Sequence, residues 1–340
     1  MEVRALNQVV YSTGTACIEE RRGQVRLQQP MPAKPRTTYT EPLTTAQADQ
    51  LRALLGHDGF TFTDKPYALY AAAKGKLNVT VYEKGPKVLV QGKETEEFVR
   101  FRLEPEILGE AKLGYEEERN PEMFLPHFGI DESGKGDFFG PLVIAGAYTD
   151  GDIARHLIEE GIQDSKRITS DAKIRKLAGI IRGTDDIAFE VISIGPERYN
   201  ELYASMGNLN KLLAWGHARV LENLCTLRPD CPHAISDQFA NPRVLQSMLL
   251  ERGKNIELTQ KTKAESDVAV AAASILAREA FINSLDRLGE EFEIVIPKGA
   301  GAQVNATAAK LTAREGVEIL NRVAKTHFRN ALKVRSSSIP

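Results

Sequence analysis

The sequence predicts an α/β protein in two parts: a layered unit of strands and helices from residue 127 onward, preceded by a small α+β module. Three observations carry this reading. Beyond residue 127, apolar strand-like runs alternate with longer helical segments, which is the pattern of an α/β layer architecture. Between about residues 40 and 108, a helix precedes short β-rich runs punctuated by glycine. The 340 residues exceed one ordinary domain, and the composition is otherwise that of a globular protein.

Residues 1–40 mix Gln, Thr, Arg and Pro without periodicity and predict a weakly ordered arm. The module of residues 41–110 opens with "TTAQADQLRALLGHDGF", where Thr45 can cap a helix, Leu51, Leu54 and Leu55 recur at helical spacing, and Gly56 follows. "YALYAAAKG", "KLNVTVYEKG" and "KVLVQGK" predict a meander broken at Gly75, Gly85, Pro86 and Gly92, and "ETEEFVRFRLEPEIL" a helix. Its lysines, Lys74, Lys76, Lys84, Lys87 and Lys93, suit either a nucleic-acid grip or plain solubility. Residues 111–126 are charged and lack an apolar face, which is linker composition. In the unit of residues 127–340, "PLVIAGAYT", "IAFEVISIG" and "HAISDQFA" predict strands. "DIARHLIEEG", "SDAKIRKLAGIIRG", "PERYNELYASM", "LNKLLAWGHARVLENLC", "NPRVLQSMLLERG" and "ESDVAVAAASILAREAFINSLDRLGEE" predict helices.

A formal net charge of −2 means that a nucleic-acid partner would be held by local basic patches and not by a global field. Cys17, Cys225 and Cys231 form no CxxC pair and are odd in number, against both a zinc knuckle and a disulfide framework. With no secretory pattern at the N-terminus and no apolar run of about 18 residues, a cytoplasmic location is expected.

The informative acids sit in apolar company, where an ionised carboxylate is costly unless paired or metal-bound. Asp131 and Glu132 end the run "FGIDESGKG", and Asp237 ends "AISDQF". Glu265 and Asp267 stand at the mouth of an Ala-rich helix, where helix capping alone would explain at least one of them. Carboxylates from two strands and a helix start are suited to a two-metal site for phosphoryl chemistry, and strand-end acids of purely structural use are the rival reading. Gly134-Lys135-Gly136 fits neither a Walker A loop nor GxGxxG; it is a turn that could approach a phosphate, or merely expose a lysine.

The string "GIDESGKGDFFGPLVIAGAY" resembles the first motif of type 2 ribonucleases H. "QDSKRIT", "MGNLNKLLAWGHARVL", "ISDQF" and "KAESDVAVAAASILARE" resemble further motifs of that family, in family order, from residue 127 to about 330. The long N-terminal extension, similar to a TATA-binding-protein-like domain, Glu265 at the fourth acid, and "PKGAG" where the HII branch shows Gly-Tyr-Gly favour the HIII branch. The resemblance implies a ribonuclease H-like mixed sheet flanked by helices. It implies an endoribonuclease that cuts the RNA strand of RNA/DNA hybrids with two Mg²⁺ or Mn²⁺ ions, with 5′-phosphate and 3′-hydroxyl products. It makes Asp131, Glu132, Asp237 and Glu265 the catalytic metal ligands, with Asp267 as the alternate fourth. Ser133, Gly134, Lys135, Gly136, Lys166, Asn208 and Asn210 become substrate contacts; Asn208 and Asn210 could equally cap a helix. Lys298 and His327 are noted in "PKGAG" and "KTHF", His327 as structural. A monomer without an obligate protein or membrane partner is expected. The rivals are an HII-like nuclease acting at single ribonucleotides and a non-catalytic hybrid-binding module.

Overall fold

The computed structural model describes residues 37–109, 120–162, 165–262 and 264–331. The arm up to residue 36, residues 110–119 of the linker region, Gln163 and Asp164 lie outside the described residues. Two compact units divide the chain: one gathers residues 37–109, 120–127 and 149–162, the other residues 128–148 and the described chain from 165 onward.

The first unit holds a five-stranded antiparallel sheet, β1 (Thr38–Pro42), β2 (Thr61–Thr63), β3 (Ala68–Lys74), β4 (Leu77–Tyr82) and β5 (Lys87–Gln91), in the order β1-β5-β4-β3-β2. Because strand side chains alternate, Val79, Val81, Val88 and Val90 turn inward. They form one core with Leu51 and Leu55 of α1 (Thr45–His57) and with Leu103. Leu103 belongs to the helix that starts as α2 (Thr95–Phe98) and widens to π-type over Val99–Leu108. The other face carries a shallow concavity lined by Thr63, Lys65, Ala71, Asn78, Thr80 and Gln91.

Two sequence expectations are corrected here. The cap of α1 is Thr44 and not Thr45: Thr44 Oγ1 accepts from Gln47 N at 3.2 Å while Gln47 Oε1 accepts from Thr44 N at 2.9 Å, a reciprocal box that needs a glutamine at the third helical position. Thr38–Thr40, expected in the arm, begin β1, an edge strand whose residues alternate between exposed and half-buried and so carry no apolar signal. This unit also contains a 3₁₀ turn at Pro121–Phe124 and α3 (Gly151–Glu159), whose cap Asp150 accepts from the amides of Asp152 and Ile153.

The second unit is a mixed sheet of β6 (His127–Ser133), β7 (Leu142–Thr149), β8 (Phe189–Ile194), β9 (His233–Asp237) and β10 (Glu257–Lys261), ordered β10-β9-β6-β7-β8. β6 and β10 run parallel to β9, and β8 runs antiparallel to β7. Its helices are α4 (Asp171–Arg182), α5 (Pro196–Met206), α6 (Leu209–Leu227), α7 (Pro242–Gln246), α8 (Val268–Glu291), α9 (Ala302–Glu315) and α10 (Ile319–Val323). The α/β layer architecture is the one expected from the sequence. β10, α9 and α10 went unread, and "NPRVLQSMLLERG" shortens to the five residues of α7. α8 has the length and composition of a membrane span, yet 72% of its apolar window is buried.

Candidate active site

Two strands and one helix start bring the acids toward one edge of the second sheet. β6 pairs with β9 as Phe128↔Ala234, Gly129↔Ile235 and Ile130↔Ser236, so Asp131 and Asp237 follow at the same level on neighbouring strands. Helix α8 is pressed against β6: a Cβ on Gly129 would lie 2.1 Å from Val270 N and 2.2 Å from the Ala269 carbonyl carbon. Only glycine permits that approach, and it sets the start of α8 beside the acids of β6.

Asp131 is 6% exposed. Its carboxyl hydrogen-bonds Ser274 on α8, whose hydroxyl lies 2.7 Å from that of Ser165. Burial, then the charge of Glu132, push Asp131 up to about 7. Glu132 behaves oppositely. Burial raises it too, but the hydrogen bond and charge of His217, then Lys135, outweigh burial and hold it below the ordinary carboxylate range. His217 Nε2 sits 3.1 Å from Glu132 Oε2 and its Nδ1 3.0 Å from Ser236 Oγ, so this fully buried ring on α6 spans β6 and β9. Lys135 Nζ is 3.5 Å from Glu132 Oε1 and 5.7 Å from the centre of the Phe239 ring, which in turn packs on His217.

The turn after the acids is built for close backbone approach. Gly134 has φ of 86°, and a Cβ there would lie 2.3 Å from Pro141 O, whereas a Cβ on Gly136 would meet nothing within 4 Å. The turn thus closes on the protein at Gly134 and opens outward at Gly136, while Ser133 still belongs to β6. Lys135 does not simply project to solvent, because it leans on Glu132 and Phe239.

Glu265 lies half-buried on a 3₁₀ turn, Ala264–Ser266. Asp267 is the cap of α8; its Oδ1 accepts from Ala269 N at 2.9 Å and Val270 N at 3.2 Å. Asn208 likewise caps α6, its Oδ1 accepting from Asn210 N at 2.8 Å, so the capping alternative holds for Asn208. Lys166 is exposed on the turn Ser165–Arg167. Lys298 ion-pairs with Asp171 at 2.6 Å. His327 stacks on Tyr203, ring centres 4.3 Å apart.

The four expected carboxylates lie at strand ends and a helix start without forming a closed cluster. Among the described residues, no three acid, cysteine or histidine side chains close around a common point. Glu132 is drawn to His217 and Lys135, and Asp267 to the amides of α8. The donors nevertheless fit a divalent cation. All are hard carboxylate oxygens, Asp131 is a buried acid whose ionisation a nearby cation would favour, and the backbone sets Asp131 and Asp237 side by side. Sequence reasoning missed His217, Ser236 and Ser274. All three are polar residues on the buried faces of their elements, where each must find a partner, but their sequence neighbourhood does not say which one.

The Ribonuclease HII family profile matches residues 128–331. Ribonuclease HIII of Chlamydia pneumoniae is 43% identical over 289 residues, 84% of this chain and 94% of that protein. Ribonuclease HIII of Chlamydia abortus is 41% identical over 304 residues, 89% of this chain and 99% of its own length. The crystal structure of Bst-RNase HIII in complex with Mn²⁺ superimposes with a TM-score of 0.61 at 30% identity, covering 89% of this chain and 99% of that one. With a buried acid pair, a glycine turn behind it and a mixed sheet of the same architecture, the chain belongs to the ribonuclease HIII group of the type 2 ribonuclease H family, a family of metal-dependent nucleases.

Proposed function

We propose that this protein is an endoribonuclease that hydrolyses the RNA strand of RNA/DNA hybrids with two divalent ions, leaving 5′-phosphate and 3′-hydroxyl ends. The carrying observation is the level placement of Asp131 and Asp237 at the ends of neighbouring parallel strands, with Glu132 and the Gly134–Gly136 turn directly behind. Asp131, Glu132 and Asp237 are the metal ligands in this reading. Glu265 is the fourth, because the Asp267 carboxylate is engaged by the amides of α8. When bound, Mg²⁺ or Mn²⁺ supplies the positive charge that activates water and stabilises the departing 3′ oxygen. The turn offers backbone groups at Gly136 to the 2′-hydroxyl that distinguishes RNA from DNA. His217, and after it Lys135, keep Glu132 ionised, and exposed Lys166 and half-buried Asn210 are further contacts to the RNA strand.

The first unit is the substrate-binding part in this reading, and its open sheet face supplies the surface. Lys74, Lys76, Lys84, Lys87 and Lys93 lie at strand ends and turns, while the concavity is lined by the uncharged donors and acceptors of Thr63, Asn78, Thr80 and Gln91 with Lys65 at its side. A shallow, mostly uncharged face of that kind suits the wide minor groove of a hybrid. A cytoplasmic monomer using Mg²⁺ completes the proposal; the buried free cysteines Cys225 and Cys231 fit a reducing compartment. The test is a labelled RNA/DNA duplex incubated with the protein, with and without EDTA. Metal-dependent scission of the RNA strand is expected, and binding without scission would leave only a hybrid-binding module.

A further inference from the structure

Lys325 follows α10 and is completely buried. Its ammonium donates to three backbone carbonyls, of Asp137 at 2.9 Å, Phe139 at 3.3 Å and Gly140 at 2.8 Å, between the rings of Tyr199 and Phe281. The main chain repeats the contact: Lys325 N donates to Phe138 O at 2.8 Å, Gly140 N to Val323 O at 2.9 Å, and Phe139 bridges Ala324. Asp137 is in turn the hinge of both glycine turns. Its amide donates to Gly134 O at 3.3 Å, its Oδ1 accepts from Gly299 N at 2.5 Å, and Phe138 N donates to Gly299 O at 2.9 Å. Five residues past Lys325, buried Asn330 donates to Ala300 O at 3.0 Å and to Asn305 Oδ1.

A buried ammonium is a poor way to fill space, since an apolar chain of similar volume would leave no charge to desolvate. Burial accordingly pushes Lys325 down to about 7. What the ammonium provides that an apolar chain lacks is a fixed point for the carbonyls of one turn. We propose that residues 324–330 act as a latch that positions the two glycine turns, Gly134–Gly136 through Lys325 and Gly299–Gly301 through Asn330, for grip on the RNA strand. Lys325 and Asn330 are positioning residues that touch no substrate. The proposal rests on the reading of the Gly134–Gly136 turn as a substrate contact and extends that reading to the turn Gly299–Gly301 bonded to it.

The test is hydrogen exchange on the full-length chain together with steady-state cleavage of a hybrid duplex, for wild type, Lys325→Met, Asn330→Ala and a control, Leu177→Ala in the core of α4. Lys325→Met should speed amide exchange across residues 133–141 by about tenfold and raise KM by about fivefold, with kcat kept within about twofold. Asn330→Ala should do the same at residues 298–301 with a smaller rise in KM, and Leu177→Ala should leave both segments and KM as they are. Unchanged KM in both latch variants, a fall confined to kcat, or exchange that quickens evenly over the whole unit would overturn it. Should Lys325→Met fail to fold, the Asn330→Ala result decides. A wild-type protein that cleaves no hybrid would defeat the proposed function, while the exchange data would still decide whether the latch exists.

Discussion

Asp131 and Glu132 are neighbours in the chain and opposites in environment, because successive strand residues face opposite sides of the sheet. Asp131 is held up at about 7 by burial and by the charge of Glu132, whereas Glu132 meets His217 and Lys135 and is held down. The sign of the consequence for stability follows. Between about 4 and 7 the folded protein retains a proton on Asp131 that the unfolded chain has released, so without metal this residue makes stability fall as pH rises through that window. Asp131→Asn removes the effect: in EDTA its melting temperature should exceed that of wild type at pH 8 and match it near pH 4, and its cleavage at saturating metal should drop below a few per cent. Equal melting curves at pH 8 would show that Asp131 ionises freely. Ala300 carries a second consequence at this scale. It is exposed in the turn tied to Asn330, and a methyl group cannot stack beneath a sugar or base. Losing such a stack costs about 1–3 kcal/mol, or roughly one to two orders of magnitude. A duplex with at least four contiguous ribonucleotides should therefore be cut with about 10- to 100-fold higher kcat/KM than one with a single ribonucleotide; parity in Mg²⁺ would favour junction cleavage of the HII kind. Asp131, Glu132 and Asp237 could be read from sequence because a charge at the end of an apolar run is conspicuous. His217 could not, since a lone histidine in "LLAWGHARVL" looks the same whether its partner is a distant carboxylate or the local backbone.

Among the elements, the start of α8 separates structure from chemistry. Asp267 accepts from two amides there, while Glu265 sits on the preceding turn outside that pair of bonds. Asp267→Ala should cost about 0.5–2 kcal/mol of stability and leave kcat largely intact, whereas Glu265→Gln should abolish cleavage and barely move the melting temperature. If Asp267→Asn, which can still cap, lost activity as completely as Glu265→Gln, Asp267 would be the working ligand. The same comparison shows what sequence could convey. Both acids announced a helix start, but only geometry tells which one turns back onto the amides. β7 was legible because it is buried throughout, and α8 because its first half, Val268 to Ala277, is. β1 and β10 were not, since they are edge strands of largely polar sequence, "TYTEP" and "ELTQK", which owe their place to pairing with Lys87–Gln91 and His233–Asp237. α7 is shorter than its apolar spacing implied because the residues after Gln246 leave the helix, although Leu245 stays in the core.

At the level of the whole molecule, each unit has its own core, and the first contributes no acid to the proposed metal site. Its contribution should therefore appear in substrate affinity and leave the chemical step alone. The sequence left five lysines of this unit open between a nucleic-acid grip and plain solubility; they lie at strand ends and turns, with Lys74 donating to the Asp58 carbonyl at 2.7 Å. The continuous surface is instead the open face around Lys65, Asn78, Thr80 and Gln91, where only one residue carries a charge. Two substitutions distinguish the two surfaces in the full-length chain. If the face grips the hybrid, Asn78→Ala with Gln91→Ala should raise KM by about three- to tenfold with kcat unchanged and with little dependence on salt, because the lost contacts are neutral hydrogen bonds. Lys65→Ala should raise KM with a salt dependence reduced by about one unit of slope, the signature of one phosphate contact removed. Lys84→Ala with Lys87→Ala, at the β4–β5 turn, should change neither. A KM that follows the turn lysines and ignores the face would place the grip on the edge of the module and return the open sheet to a structural role.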